Sequence, residues 1–118
     1  MTDKFITLIT DFGTSDGYSG ILKGVISSID PTIKIIDITH NISSYSVLSA
    51  SFILHTSINY FPKNTVHLVV VDPGVGSDRK PIIIKLNKDT FLVGPDNGVF
   101  SHILLDLIGY NHESNSQL

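Results

Sequence analysis

The sequence predicts a three-layer α/β fold: a mostly parallel sheet, helices on both faces, and a late antiparallel hairpin. Three observations carry this expectation. Short apolar runs alternate with helical stretches in the order strand, helix, strand, helix, strand, the pattern of right-handed βαβ units. Polar, chemistry-capable residues follow the first three strand runs: Asp11 and Asp16, then Thr39 and His40, then Asp72, Asp78 and Arg79. Two later strand runs are separated only by Asn87-Lys88-Asp89, a hairpin signal.

The first run, Phe5 to Thr10 (FITLIT), is nearly continuous in apolar character and reads as a strand covered on both faces. Asp11 to Gly17 is turn chemistry. Tyr18, Ile21, Leu22, Val25, Ile26 and Ile29 then form one helical stripe, which Asp30-Pro31 ends. Ile33 to Ile38 is the second strand. A second helix is expected to about Tyr60, capped by Ser43 or Ser44, with Val47, Leu48, Phe52, Leu54 and Ile58 available to the core. Phe61-Pro62-Lys63-Asn64 breaks it. Thr65 to Val71 is the third strand, and Asp72 to Lys80 a loop without hydrophobic periodicity. Pro81 to Leu86 and Thr90 to Val93 form the hairpin, and Gly94 to Gly98 is a turn. A third helix is expected from Val99 to Ile108, with Phe100, Ile103, Leu104, Leu107 and Ile108 on its apolar side. Asn111 to Leu118 holds one apolar residue and reads as a frayed end.

The 118 residues suffice for one core. A net charge of −3 offers no general basic footprint for nucleic acid. With 42% hydrophobic and 16% charged residues, the chain is too apolar for a disordered one. Cysteine is absent, which removes disulfides, thiolate nucleophiles and cysteine-based metal sites. No apolar run has the length of a membrane span, and the first residues do not form a signal peptide. A soluble, cytoplasmic protein is the resulting expectation.

The chemistry-capable residues follow the strands. Asp11 and Asp16 come after the first, Thr39 and His40 after the second, and Asp72, Asp78 and Arg79 after the third. Asp96 and Asn97 follow the second strand of the hairpin. In an open α/β sheet the carboxyl ends of parallel strands line one ligand-binding edge. Any one such loop is ordinary turn chemistry, but loops after three successive strands would share one crevice. Carboxylates there accept hydrogen bonds from sugar hydroxyls and attract cations. Neither a G-x-G-x-x-G nor a Walker sequence occurs, so a phosphate cradle is unsupported. Asp11-Phe12-Gly13 copies the kinase triplet without a kinase catalytic loop. The histidines show no metal-ligand spacing. His67 on a strand and His55 on a helix read as packed or surface residues.

The strings ITDFGTSDGYSGILKGVISSIDP, IIDITHNI, YFPKNTVHLVVVDPGVGSDR and VGPDNGVFS, in this order and spacing, resemble the S-adenosylmethionine hydroxide adenosyltransferases. These are relatives of the fluorinase and chlorinase, and the resemblance runs from Phe5 to about Tyr110. It implies attack of hydroxide on C5′ of S-adenosylmethionine, releasing methionine and giving adenosine, with no cofactor beyond that substrate. Asp72 and Arg79 match two members of the family's Asp–Arg–His triad: Asp72 would orient or deprotonate water, and the permanently cationic Arg79 would stabilise developing hydroxide. Asp11 matches the carboxylate that binds the ribose diol. Asp16 lies where the family contacts the methionine part, with Tyr18 nearby. Tyr45 matches an aromatic against the ribose and sulfonium, where a ring face stabilises a cation, or it caps the core at a helix start. Asn97 hydrogen-bonds near the site or shapes its turn. In the halogenases a tyrosine stands at the position of Asp72, and an insertion separates the next two strands. The aspartate and the short link here favour hydroxide.

The family's triad histidine sits in a phenylalanine–histidine–glycine–arginine–aspartate motif that these 118 residues do not contain. The smaller β-rich second domain, which completes the adenine site between subunits of a homotrimer, is also not among them. The expectation is therefore an N-terminal α/β substrate-binding and catalytic domain over residues 1–110, a tail over 111–118, and little activity from this chain alone. A non-catalytic module with weak or no nucleoside binding is the alternative. Apolar surface left uncovered would make the chain unstable or self-associating.

Overall fold

The computed structural model describes residues 3–43, 46–71, 80–87 and 89–106. Five strands form one sheet in the order β2-β1-β3-β5-β4. They are β1 (Phe5–Thr10), β2 (Lys34–Thr39), β3 (Thr65–Val70), β4 (Pro81–Asn87) and β5 (Thr90–Pro95). β1 pairs in parallel with β2 on one side and β3 on the other, and β3 pairs in parallel with β5. Only the β4–β5 pairing is antiparallel. The mostly parallel sheet with a late hairpin is thus the expected one. The expected strand starts hold to within a residue.

Helices lie on both faces. α2 (Val47–Ser57) continues into a short 3-10 turn, Ile58–Tyr60, and residues 101–106 form helix α3. Ala50 and Leu54 of α2, with Phe100 and Ile103 at α3, share a core with Ile9, Val69, Val71 and Leu92 of the sheet. Along β3, residues 65, 67 and 69 are buried while 66, 68 and 70 are half-buried, because side chains alternate between faces and α2 and α3 cover one of them. α1 (Tyr18–Ile29) takes the opposite face. Its Lys23 meets Asp37 of β2, which is in register with Leu8 and so points away from Ile9.

Two expectations about helix faces need correction. α1 has no buried residue. Leu22 and Ile26 are half-buried, but Tyr18, Ile21, Val25 and Ile29 of the same stripe are 54–81% exposed. α1 adjoins β2, an edge strand, so only part of its apolar surface meets the sheet. In α2, Leu54 is buried and Val47 packs against the core as expected, as does Ile58 just beyond the helix, but Leu48 and Phe52 are exposed, and Ala50 and Ser51 are buried in their place. A small Ala-Ser face lets this helix approach the sheet closely. The N-cap is Ser46, whose hydroxyl accepts from the Ser49 amide at 3.2 Å, rather than Ser43. Ser44 lies outside the described residues. At α3, Val99 and Phe100 form a turn ahead of the helix.

Two close fits pin the core. Gly94 of β5 lies so near the Phe100 ring and the Val69 carbonyl that an added Cβ would stand 2.9 Å from each. His67 is 1% exposed and shares a 2.7 Å hydrogen bond with Thr7 through Nδ1, while Nε2 has no partner. Burial pushes the His67 imidazole down to about 4, because a charged ring would lose its water there.

Gly94→Ala is expected to cost roughly 1–3 kcal/mol, the range for overpacking, read from urea unfolding. His67 should add a pH dependence. The unfolded chain takes up its proton near pH 6.5 and the folded chain only near 4, so its contribution is intact above 6.5 and is lost as the pH falls towards 4. Going from pH 7 to 4.5 should cost about 2–3 kcal/mol through this group. The Thr7→Val/His67→Leu pair, which removes both partners together, should be measurably less sensitive to acid. Equal acid sensitivity in both proteins would count against the assignment.

Candidate functional site at the carboxyl edge of the sheet

The chain leaves β1 towards β2 and returns across it to β3, so the strand order reverses between β1 and β3. Ligands in open α/β sheets bind at such a reversal, outside the carboxyl ends of the strands. Here the two strand ends are joined directly: the Asp11 amide donates to the Val70 carbonyl at 3.4 Å.

The turn after β1 is held by three successive backbone donors. Besides the Asp11 amide, the Phe12 amide donates to Thr10 Oγ1 at 3.3 Å, and the Gly13 amide to the His40 carbonyl at 2.6 Å. Gly13 sits at φ +75°, a left-handed conformation that suits glycine. These amides face protein acceptors, so they do not form a cradle for phosphate. Asp11 is half-buried, and Asp16 and Tyr18 are exposed. Tyr18 opens α1 with its ring centroid 6.0 Å from that of Phe12. The first loop thus presents two carboxylates and two aromatic rings on one side of the strand reversal.

The loop after β2 contributes His40, which is buried. Its Nδ1 lies 2.7 Å from Thr10 Oγ1 and its Nε2 2.7 Å from Asp37 Oδ1. Lys23 donates to the other Asp37 oxygen at 2.5 Å. Partial burial opposes charge on Asp37, but hydrogen bonds from Lys23 and His40 outweigh it and hold the carboxyl below its ordinary value. With both ring nitrogens engaged, His40 is not placed to serve as a general base for a bound substrate.

Asn97 closes the far side. Its Nδ2 donates to the Val71 carbonyl at 2.8 Å, and its Oδ1 accepts from the Val99 amide at 3.1 Å. The side chain therefore ties the end of β3 to the turn entering α3. Of the two readings of Asn97, the turn-shaping one describes its contacts here, and they end at the residue before Asp72. Tyr45, Asp72, Asp78 and Arg79 lie outside the described residues. Among the described residues no group of three His, Cys, Asp or Glu is arranged to hold a metal ion, and no helix is long and apolar enough to cross a membrane. A cavity of 330 Å³ opens at the other end of the sheet, between Phe5, Ile33, Asn64, Val66 and Phe91. Its lining is mostly apolar and holds none of the candidate site residues.

Residues 6–115 match the family model for the N-terminal domain of the SAM hydroxide adenosyltransferases. The chain belongs to this family. An (R)-S-adenosyl-L-methionine hydrolase of Methanocaldococcus jannaschii is 47% identical over 102 residues, covering 83% of this chain and 38% of that protein. The crystal structure of an uncharacterised conserved protein from Thermotoga maritima superposes with a TM-score of 0.82 at 43% identity, over 86% of this chain and 39% of the other. A fluorinase of an Actinoplanes species is more distant, 24% identical over 73% of this chain and 29% of its own length. The chain thus spans about two fifths of the hydrolase and of the Thermotoga protein. The match to the SAM hydroxide adenosyltransferase domain includes both flanks of the strand reversal and every candidate site residue named from the sequence.

Sequence reasoning did not find the Thr10–His40–Asp37–Lys23 chain. The available signal was Asp37 itself, a charge inside the apolar run IKIIDI that needs partners if it is to stay beside the sheet.

Asn97→Asp should show what this bridge contributes. A carboxylate cannot donate to the Val71 carbonyl and would face it as a second acceptor, so a loss of about 1–3 kcal/mol in urea unfolding is expected. An unchanged midpoint would mean that Asn97 does not hold the two strand ends together.

Proposed function

We propose that this domain supplies the substrate-binding and catalytic edge of an enzyme that transfers hydroxide to C5′ of S-adenosylmethionine, yielding adenosine and L-methionine. The observation that carries the reading is the strand reversal between β1 and β3, flanked by the Asp11 turn and by the chain running into Asp72, within a domain of this family. The hydrolase name of the Methanocaldococcus relative supports the substrate.

The substrate carries a sulfonium cation and a ribose diol, and carboxylates suit both. Asp11 would accept hydrogen bonds from the diol. Asp16 and Tyr18, exposed at the entrance to α1, would meet the methionine part, and Tyr45 would lie against the ribose and sulfonium. The sulfonium already makes methionine a good leaving group, so no acid is needed there. The reaction needs a water held in line with the C5′–S bond and relieved of a proton. Asp72 would orient or deprotonate this water, and Arg79 would stabilise the developing hydroxide. The short β4–β5 link supports hydroxide over halide: Asn87 pairs directly with Thr90, leaving no room for the insertion that marks the halogenases. A carboxylate at position 72 would also repel a halide ion.

The histidine motif of the triad is not in this sequence. We therefore propose that these 118 residues by themselves are inactive; the alternative is a non-catalytic module with weak or no nucleoside binding. The family's homotrimer would then be the assembly in which the edge is completed.

Incubating the purified chain with S-adenosylmethionine should release no adenosine by chromatography. Binding of S-adenosylmethionine should be detectable by NMR titration and weakened about tenfold or more by Asp11→Asn, as expected for losing charged acceptance of the diol. Adenosine formation that disappears in Asp72→Ala would overturn the inactivity and support the reaction. Failure to bind either S-adenosylmethionine or adenosine would overturn the proposed site.

A further inference from the structure

We infer that Asp37, His40 and Thr10 form a clamp that positions the Asp11 turn, with His40 held as the Nε2–H tautomer. The clamp's importance for substrate rests on the reading of Asp11 given above, but its geometry does not. His40 is 6% exposed and Thr10 0%, so their polar atoms must be paired within the protein. For a neutral ring the pairing has one consistent direction. Asp37 is an ionised acceptor, held so by Lys23 and His40, and its Oδ1 lies 2.7 Å from Nε2. Nε2 must therefore carry the proton. In the neutral ring Nδ1 is then bare, and the Thr10 hydroxyl 2.7 Å away must donate to it. That orientation leaves the lone pairs of Thr10 Oγ1 to accept the Phe12 amide.

His40 thus acts on the turn twice. Its ring orients the Thr10 hydroxyl that receives Phe12, and its own carbonyl receives Gly13 at 2.6 Å. In the other direction, the Thr10 carbonyl accepts the Ile42 amide at 3.3 Å. The last residue of β1 and the loop after β2 are therefore fastened to each other on both sides of Asp11. A carboxylate whose neighbours on either side are fixed is presented with a defined direction, which is what selective recognition of a diol demands. His40 and Thr10 are positioning residues, since they act through the turn and need not touch a ligand.

The test uses the whole chain, labelled with 15N. Long-range 1H–15N correlation at pH 7.5 should show His40 with a protonated Nε2 and a bare Nδ1. Amide exchange at Phe12 and Gly13 should be accelerated about tenfold in Thr10→Val, beyond any change in global exchange, and should stay within about threefold of the parent in Thr10→Ser, which retains the hydroxyl. An Nδ1–H tautomer would overturn the clamp. So would acceleration spread uniformly over the sheet, or none at these two amides. If Thr10→Val does not fold, the tautomer and the protection kept in Thr10→Ser decide. A chain that passes these tests yet binds no S-adenosylmethionine keeps the clamp and loses the substrate reading.

Discussion

Parallel pairing on both edges of β1 is the constraint on which the rest depends. Two parallel neighbours cannot be joined by a tight turn, so each must be reached by a crossover. A crossover from β1 to β2 followed by one from β2 to β3 reverses direction across the sheet. Right-handedness then sends the two helices to opposite faces. The same reversal parts the connections on either side of β1 and β3. The place of the candidate site is thus a by-product of the strand order.

Polar groups in such a sheet must be settled before apolar packing can help, and the two buried histidines show two solutions. His67 lies on the α2 face beside Thr7 and under the Phe61 ring, whose centroid is 5.5 Å away. Burial alone disfavours its charged form. His40 lies at the strand ends with an acid on one nitrogen and a hydroxyl on the other. The first serves packing and could be replaced by an apolar pair. The second bears on backbone, because its partner Thr10 in turn receives the Phe12 amide and its own carbonyl receives that of Gly13.

Much of this was legible in the residues. The FITLIT and TVHLVV runs fall on the central strands β1 and β3, where apolar residues are needed on both faces, and IKIIDI falls on the edge strand β2, whose exposed positions are its two charged residues. The Pro81-to-Pro95 hairpin followed from its short polar link. Periodicity was less informative about which side of a helix is covered. The α1 stripe is regular, yet β2 is an edge strand and leaves most of it outside. In α2, small residues sit inward and Leu48 and Phe52 outward, a choice made by how near the helix must come to the sheet. For the site, Asp11 and Asp16 were visible as polar residues after a strand. The Thr10–His40–Asp37 chain was not, because Thr10 and His40 stand 30 positions apart and meet only through strand register.

The strand order also has a kinetic meaning. β5 enters the sheet between β3 and β4 although β4 precedes it in the chain. Its antiparallel partner is its neighbour in sequence, so this hairpin can assemble on its own, on the order of microseconds, and add to β3 as a unit. β1 must instead wait for β3, some sixty residues away by register, Phe5 against Thr65. Closing a loop of that length comes late, since non-local contacts form only after the entropy of closure is met. The strand reversal between β1 and β3 is therefore among the last parts of the molecule to form.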